Sequence, residues 1–277
     1  MAADERPPGR FAPRTAFRAL LYRALVASAS YFYKAGNGCL FMAAGLLRHD
    51  ELQAASIDQY RTFNVSPFEV DAGLSPVEQV FYGKFLHEKD RILLVGCGTG
   101  RDLIALHLLG YDVTGLEPVP EVVALAQQHL ARRGVSVPLQ TGLIETAPLN
   151  GRYDAIVFSN GCYSLLQGSG LRVATLRRVA EHLAPAGRLI VSYHPAKAQS
   201  RLGGWLIRTT SWLSSGDWTP EPGDTFARDL FRPGLIRYHH AFRPEEFARE
   251  CEAAGLSVIA DQMFSEGYRF AAAERRA

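Results

Sequence analysis

The hydrophobic pattern changes period as the chain is followed. Residues 92–95, Ile-Leu-Leu-Val, are a short unbroken apolar run of the kind that fills a strand buried on both faces. A helical pattern follows at 103–109 and stops at Gly110. The couplet then recurs. Strand-like runs lie at 113–116, 135–140, 153–159 and 188–193, with helical patterns at 119–133, closed by Gly134, and at 171–183. Strands alternating with helices predict right-handed crossovers and a parallel sheet. A helix at 244–254, stopped by Gly255, and two closing strands at 256–264 and 268–273 complete this α/β unit.

Two stretches stand outside the alternation. Upstream, helical patterns cover 15–33, 37–47 and 50–63, with Lys34-Ala-Gly-Asn-Gly interrupting the first pair and Pro67 and Gly73 ending the third. Ser75-Pro-Val-Glu then starts a helix: serine at the cap, proline in the first turn, glutamate reaching back. Downstream, residues 196–241 interrupt the pattern. There Leu202, Trp205, Leu206, Thr209, Trp212 and Leu213 fall on one helical face. The organisation predicted is a disordered tail at 1–14, a helical layer or lid at 15–74, and an α/β domain at 75–277. The insert at 196–241 is expected to roof that domain's acceptor pocket.

The chemistry gathers after the first strand. Gly96, Gly98 and Gly100 let the backbone turn sharply and approach a ligand with no Cβ in the way. Glu117 lies 21 residues after Gly96, at the tip of the second strand, where a carboxylate accepts both hydroxyls of a ribose. A nucleoside-containing cofactor is therefore predicted. A dinucleotide fingerprint, Gly-x-Gly-x-x-Gly, would place its last glycine at Arg101. Asp102, in the first turn of the next helix, repels a pyrophosphate that needs the same amides and suits an ammonium group. S-adenosylmethionine has a ribose, an ammonium and no phosphate.

On Gly-Cys-Gly-Thr-Gly at 96–100 and on Glu117, the chain resembles the class I S-adenosylmethionine-dependent methyltransferases. The resemblance covers residues 76–195 and, more weakly, 242–275. It implies a Rossmann-like, seven-stranded, mostly parallel sheet with helices on both faces and an antiparallel hairpin at one edge. It also implies that S-adenosyl-L-methionine is held by Gly96, Cys97, Gly98, Thr99, Gly100, Asp102, Glu117 and Pro118. In that family the third strand tip flanks the adenine, which assigns Gly142, Leu143 and Ile144, with Glu145 either a polar partner or a solvated loop residue. The fourth tip lies next to the reacting methyl group. Asn160 there bonds the methionyl ammonium or an acceptor oxygen, and Tyr163 either walls the acceptor pocket or packs in the core. Tyr60 and Arg61 are candidates to close over the cofactor. The chain departs from the family at Leu94, where an acidic residue is usual; Asp102 is expected to take over part of that role.

Methyl transfer to a hydroxyl needs in-line alignment and usually a base, and imidazole has the right unperturbed pKa. Of eight histidines, His194 at the fifth strand tip and His239 and His240 at the end of the insert are the candidates, His240 preferred. Trp205 and Trp212 are expected to wall an apolar or aromatic acceptor; the alternative is an insert that buries its own small core, and the two are compatible. The function predicted is O-methylation of a small molecule. S- or N-methylation, and cofactor binding without transfer, stay open as alternatives.

Composition narrows the field a little. Apolar residues make up 47% and charged residues 21%, ordinary for a globular protein. A net charge of +2, with no added RNA-binding module, gives no reason to expect a nucleic-acid partner. Cys39, Cys97, Cys162 and Cys251 form no Cys-x-x-Cys pair, so no zinc site or disulfide framework is predicted and the cytoplasm is the expected compartment. The start of the chain is less ordinary. From Arg6 to His49 there are seven Arg or Lys residues and no acidic one. This segment reads as helices packed on the following domain; a basic segment resting on an anionic membrane surface is the second reading.

Overall fold

The computed structural model describes residues 16–61, 70–196, 201–214, 216–228, 236–264 and 267–276. The tail expected at 1–14 and the predicted helix end at Phe63 lie outside them.

The first described element is one long helix, α1 (Ala16–Leu46), where the glycines at 36 and 38 predicted a break. Packing overrides the propensity of glycine here. At Gly38 a Cβ would stand 3.6 Å from Leu206, and Gly45 lies against the backbone of Ile207, so the small residues let another helix approach closely. α2 (His49–Asp58) is shorter than predicted. α3 (Pro76–Phe85) has the predicted start: Ser75 Oγ accepts from the Glu78 amide at 3.3 Å, and Glu78 Oε2 accepts from the Ser75 amide at 2.7 Å.

The alternating unit follows in order: β1 (Arg91–Val95), α4 (Arg101–Leu108), β2 (Asp112–Glu117), α5 (Pro120–Arg132), β3 (Leu139–Thr141), β4 (Tyr153–Phe158), α6 (Ser169–His182) and β5 (Leu183–Pro195). Strands β3, β2, β1, β4 and β5 lie side by side in that order, all parallel. The insert holds α7 (Arg201–Leu213), β6 (Asp224–Arg228) and β7 (Ile236–Phe242); after it come α8 (Glu246–Ala253), β8 (Leu256–Met263) and β9 (Arg269–Arg275). β9 runs antiparallel along Arg188–Tyr193 of β5, and β8 pairs antiparallel with β9.

The insert differs from expectation. It is a helix followed by a β-hairpin, not a helical element alone. β6 and β7 are antiparallel, and among the described residues β7 pairs parallel with β5 only at His194–Ala241 and Pro195–Phe242, making nine described strands in place of seven. β5 thus outruns β9 and carries a second partner at its tip.

The sheet divides the core by the two-residue period of its strands. Leu93, Val95, Ile156, Phe158, Leu189 and Val191 face one layer; Ile92, Leu94, Ala155, Val157 and Ile190 face the other. A third, smaller core joins Leu40, Phe41 and Ala44 of α1, Leu52 of α2, Ile207 of α7 and Phe226, Ile236 and Tyr238 of the hairpin. The early helices and the insert are therefore one cap, set beside the carboxyl ends of the strands.

Candidate functional site

In an open α/β sheet the ligand crevice lies beyond the carboxyl ends of the strands. Here that place is a cavity of ≈ 830 Å³, large enough for a nucleoside cofactor with an acceptor beside it. Its floor is the turn after β1. The amides of Gly96 and Cys97 both donate to the Leu116 carbonyl, at 2.8 and 3.2 Å, tying the turn to β2. Gly98 has φ +54°, and a Cβ there would meet nothing within 4 Å: the backbone faces open space in the cavity. Gly100, with φ +97°, caps α4 and is the one residue of the turn that does not line the cavity.

Glu117 stands at one end of the cavity. Oε2 accepts from the Gly98 amide at 3.0 Å and Oε1 from the Val119 amide at 3.2 Å, fixing the carboxylate with free lone pairs toward the cavity. Burial raises its pKa, against the pull of those two amides. Pro118, Gly142, Leu143 and Ile144 line the same end. So does Glu145; one of its carboxylate oxygens is buried with no hydrogen-bond partner among the described residues, and burial raises its pKa.

The other end carries a charge cluster that the sequence showed only in part. Asp102 is buried. Its Oδ1 accepts from Arg101 Nε at 2.6 Å and its Oδ2 from Ser159 Oγ at 2.9 Å. Arg101 also bridges to Glu78 Oε1 at 2.5 Å. Two carboxylates share one guanidinium, a formal charge of −1 beside the cavity, which an ammonium group balances. Burial and the neighbouring Asp102 raise the Glu78 pKa, against the pull of Arg101. Glu78 was legible only as a helix cap, because nothing in sequence brings it to Arg101.

The far wall holds aromatic and imidazole rings. The His194 ring lies 4.9 Å from that of His239 and 4.5 Å from that of Tyr268, centroid to centroid. Both histidines, Tyr60, Asn160 and Arg237 line the cavity. Burial, then the charge of Arg237, lowers the His194 pKa. Burial, then His194 and Arg237, lowers that of His239 to about 4. Both shifts favour the neutral imidazole. Tyr60 is pushed the other way by burial, up to about 12.

Six predicted residues do not line the cavity: Gly100, which caps α4, Arg61, which pairs with Asp58 and Glu121, and the four that follow. His240 does not reach the cavity: it is fully buried, with Nδ1 2.8 Å from Asp224 and Nε2 3.1 Å from Glu246. It sits one residue from His239 on β7, and successive side chains of a strand point to opposite faces. Tyr163 is a core residue, stacked on Phe242 and donating to Glu250 Oε2 at 2.8 Å. Trp205 and Trp212 are 60% and 80% exposed and do not line the cavity. The apolar face of α7 was read as pocket wall, but α7 buries Gly203 and Ile207 and turns its tryptophans to solvent.

Comparison with known proteins gives this geometry a family. A methyltransferase domain family matches residues 75–261, more than half of the chain, and the chain belongs to that family. The ubiquinone biosynthesis O-methyltransferase of Xanthomonas axonopodis pv. citri (strain 306) is 33% identical over 170 residues, 61% of this chain and 63% of that protein. The curated relatives are matched over 42–63% of their own length. Among solved structures, the CcbJ methyltransferase from Streptomyces caelestis superposes with a TM-score of 0.56 at 18% identity, covering 80% of this chain and 96% of that one. The 1,6-didemethyltoxoflavin-N1-methyltransferase of Burkholderia thailandensis does so with a TM-score of 0.53 at 18% identity, covering 81% and 85%. The fold is that of the S-adenosylmethionine-dependent methyltransferases.

Proposed function

We propose that this protein transfers the methyl group of S-adenosylmethionine to a hydroxyl oxygen of a small, largely apolar or aromatic acceptor. The observation that carries the reading is the pair of imidazoles, His194 and His239, side by side on the wall of the cavity. When bound, the cofactor supplies an electrophilic methyl carbon on a sulfonium. Glu117 is suited to hold its ribose hydroxyls, the Glu78–Arg101–Asp102 cluster its ammonium, and Gly142, Leu143 and Ile144 the faces of its base. Glu145 offers the base a carboxylate acceptor.

The acceptor then lies between the methyl group and the far wall. Tyr60, Leu165, Leu166 and Tyr268 exclude water there and favour an apolar body. As a new carbon–oxygen bond formed and the carbon–sulfur bond of the sulfonium broke, its electron pair leaving with sulfur as a neutral thioether, the hydroxyl proton would pass to an imidazole, His239 in the first instance. Burial keeps that imidazole unprotonated well below neutral pH. The O-directed reading also accords with the name of the ubiquinone biosynthesis O-methyltransferase relative.

The test is to incubate the full chain with methyl-labelled S-adenosylmethionine and a panel of phenols, catechols, amines and thiols. Label on phenols or catechols, lost with His239→Ala, is the expected result. Label on amines or thiols only, unaffected by His194→Ala and His239→Ala, would replace the hydroxyl in this reading.

A further inference from the structure

The first half of α1 has little protein to lean on. Gly38, Phe41, Ala44 and Gly45, in its second half, pack on α7 and the hairpin, whereas every residue from 20 to 36 is exposed. The exposed side chains are not those of a solvated helix. Leu25, Phe32 and Tyr33 are 62–72% exposed, and Leu20, Leu21 and Tyr31 are exposed beside them. Over about 20 Å of helix the surface is apolar and aromatic. Patches of that extent on a soluble surface mark a site of contact.

The arrangement of charge says with what. Arg23, Ser30 and Lys34 are seven and four residues apart and share one narrow face. Leu21, Leu25 and Phe32 lie on the opposite face. A wide apolar arc with a narrow basic stripe suits a helix lying in a lipid–water boundary, acyl chains below and headgroup phosphates beside the cations. Tyr31, Tyr33 and the exposed Trp205 and Trp212 of α7 are of the types that settle at headgroup level. No acidic residue occurs from 6 to 49 to repel an anionic surface. No helix among the described residues is long and apolar enough to cross a membrane, so the contact is with one leaflet.

We infer that the exposed half of α1, between Leu20 and Lys34, docks this protein on an anionic lipid surface. The charge pattern favours lipid over a second copy of the chain, because two copies in contact bring cations of one sign together. The docking surface is separate from the cofactor cavity, whose lining includes no residue of α1 or α7.

Sedimentation with large unilamellar vesicles tests this on the full chain at low salt. The protein is expected to pellet with equimolar phosphatidylglycerol and phosphatidylcholine, and far less with phosphatidylcholine alone. Arg23→Glu with Lys34→Glu should weaken the anionic binding at least about tenfold. Leu25→Ser with Phe32→Ser should weaken it as much. S-adenosylhomocysteine affinity, titrated in both double variants, should match the parent and so shows them folded. A parent that stays in solution with anionic vesicles overturns the inference, as does vesicle binding that survives both double variants. A parent dimer that Leu25→Ser with Phe32→Ser dissociates, with no vesicle binding by either, assigns the face to a second copy.

Discussion

The two faces of β7 hold adjacent histidines to opposite ends. His239 faces the cavity, where burial, then the neighbouring His194 and Arg237, lower its pKa to about 4. His240 faces the core. Burial alone would lower its pKa too, but its bonds to Asp224 and Glu246 outweigh burial, and the net shift is upward. His240 belongs to a buried ionic cluster centred on Arg172, which has no exposed surface and meets Glu250 at 2.7 Å and Glu221 at 2.9 Å. Among the described residues Glu221, His240 and Glu246 could also present three ligand atoms to a metal ion, yet Arg172 is already the cation they face. The same residue type, one position apart, is left open to a ligand on one face and fully committed on the other. Partners, not identity, decide which histidine can do chemistry.

The largest effect is expected on the committed face. Arg172→Ala leaves three carboxylates without their shared cation and should lower stability by about 3–5 kcal/mol, measured by urea unfolding. An Arg172→Ala protein as stable as the parent would show the cluster to be incidental. On the open face the effect should fall on rate. With an acceptor in hand, His239→Ala is expected to lower turnover about 10²–10⁴-fold with cofactor affinity unchanged. His240→Ala should do the reverse, lowering stability by about 1–3 kcal/mol while the folded fraction keeps its turnover. Should His240→Ala abolish turnover in fully folded protein, the two faces do not divide the work this way.

The pH dependence is smaller and sharpens the same contrast. A histidine with a raised folded pKa stabilises fully below its unfolded value, near ~6.5, and that contribution is lost as pH rises through the folded value. The stability difference between the parent and His240→Ala should therefore shrink above pH ~6.5. His239 has the opposite sign. Its depressed pKa, about 4, keeps it neutral and able to accept a proton down to mildly acidic pH. The acid limb of the turnover profile should lie well below the ~6.5 of a free imidazole. A limb at or above that value would remove His239 as the base.

How much of this was legible in sequence differs between the two ends of the cavity. The end of the cavity floored by the glycine turn was readable because one continuous stretch writes it. Gly96, Gly98, Asp102 and Glu117 come from β1, its turn, α4 and β2, and parallel pairing of β1 with β2 places them together. Seven of the eight residues assigned from that stretch line the cavity. The acceptor end comes from segments far apart. Tyr60 follows α2, His194 ends β5, His239 lies on β7 and Tyr268 precedes β9. Choosing His239 over His240 requires knowing that the stretch is a strand and which way its pleat points. An insert read as helical hides both facts. Trp205 and Trp212 misled for a related reason: an apolar helix face shows that something covers it, not that the cover is a ligand. The Arg101–Glu78 pair depended on a contact between α3 and the start of α4 that no local pattern encodes.

The claim beneath all of this is that the cavity is built for S-adenosylmethionine, and calorimetric titration with S-adenosylhomocysteine tests it most directly. The parent should bind. Glu117→Ala, confirmed as folded by circular dichroism, should bind about thirty-fold more weakly or worse, because both ribose hydroxyls lose a charged acceptor. A parent that shows no binding, or a folded Glu117→Ala protein that binds as tightly as the parent, would contradict the account.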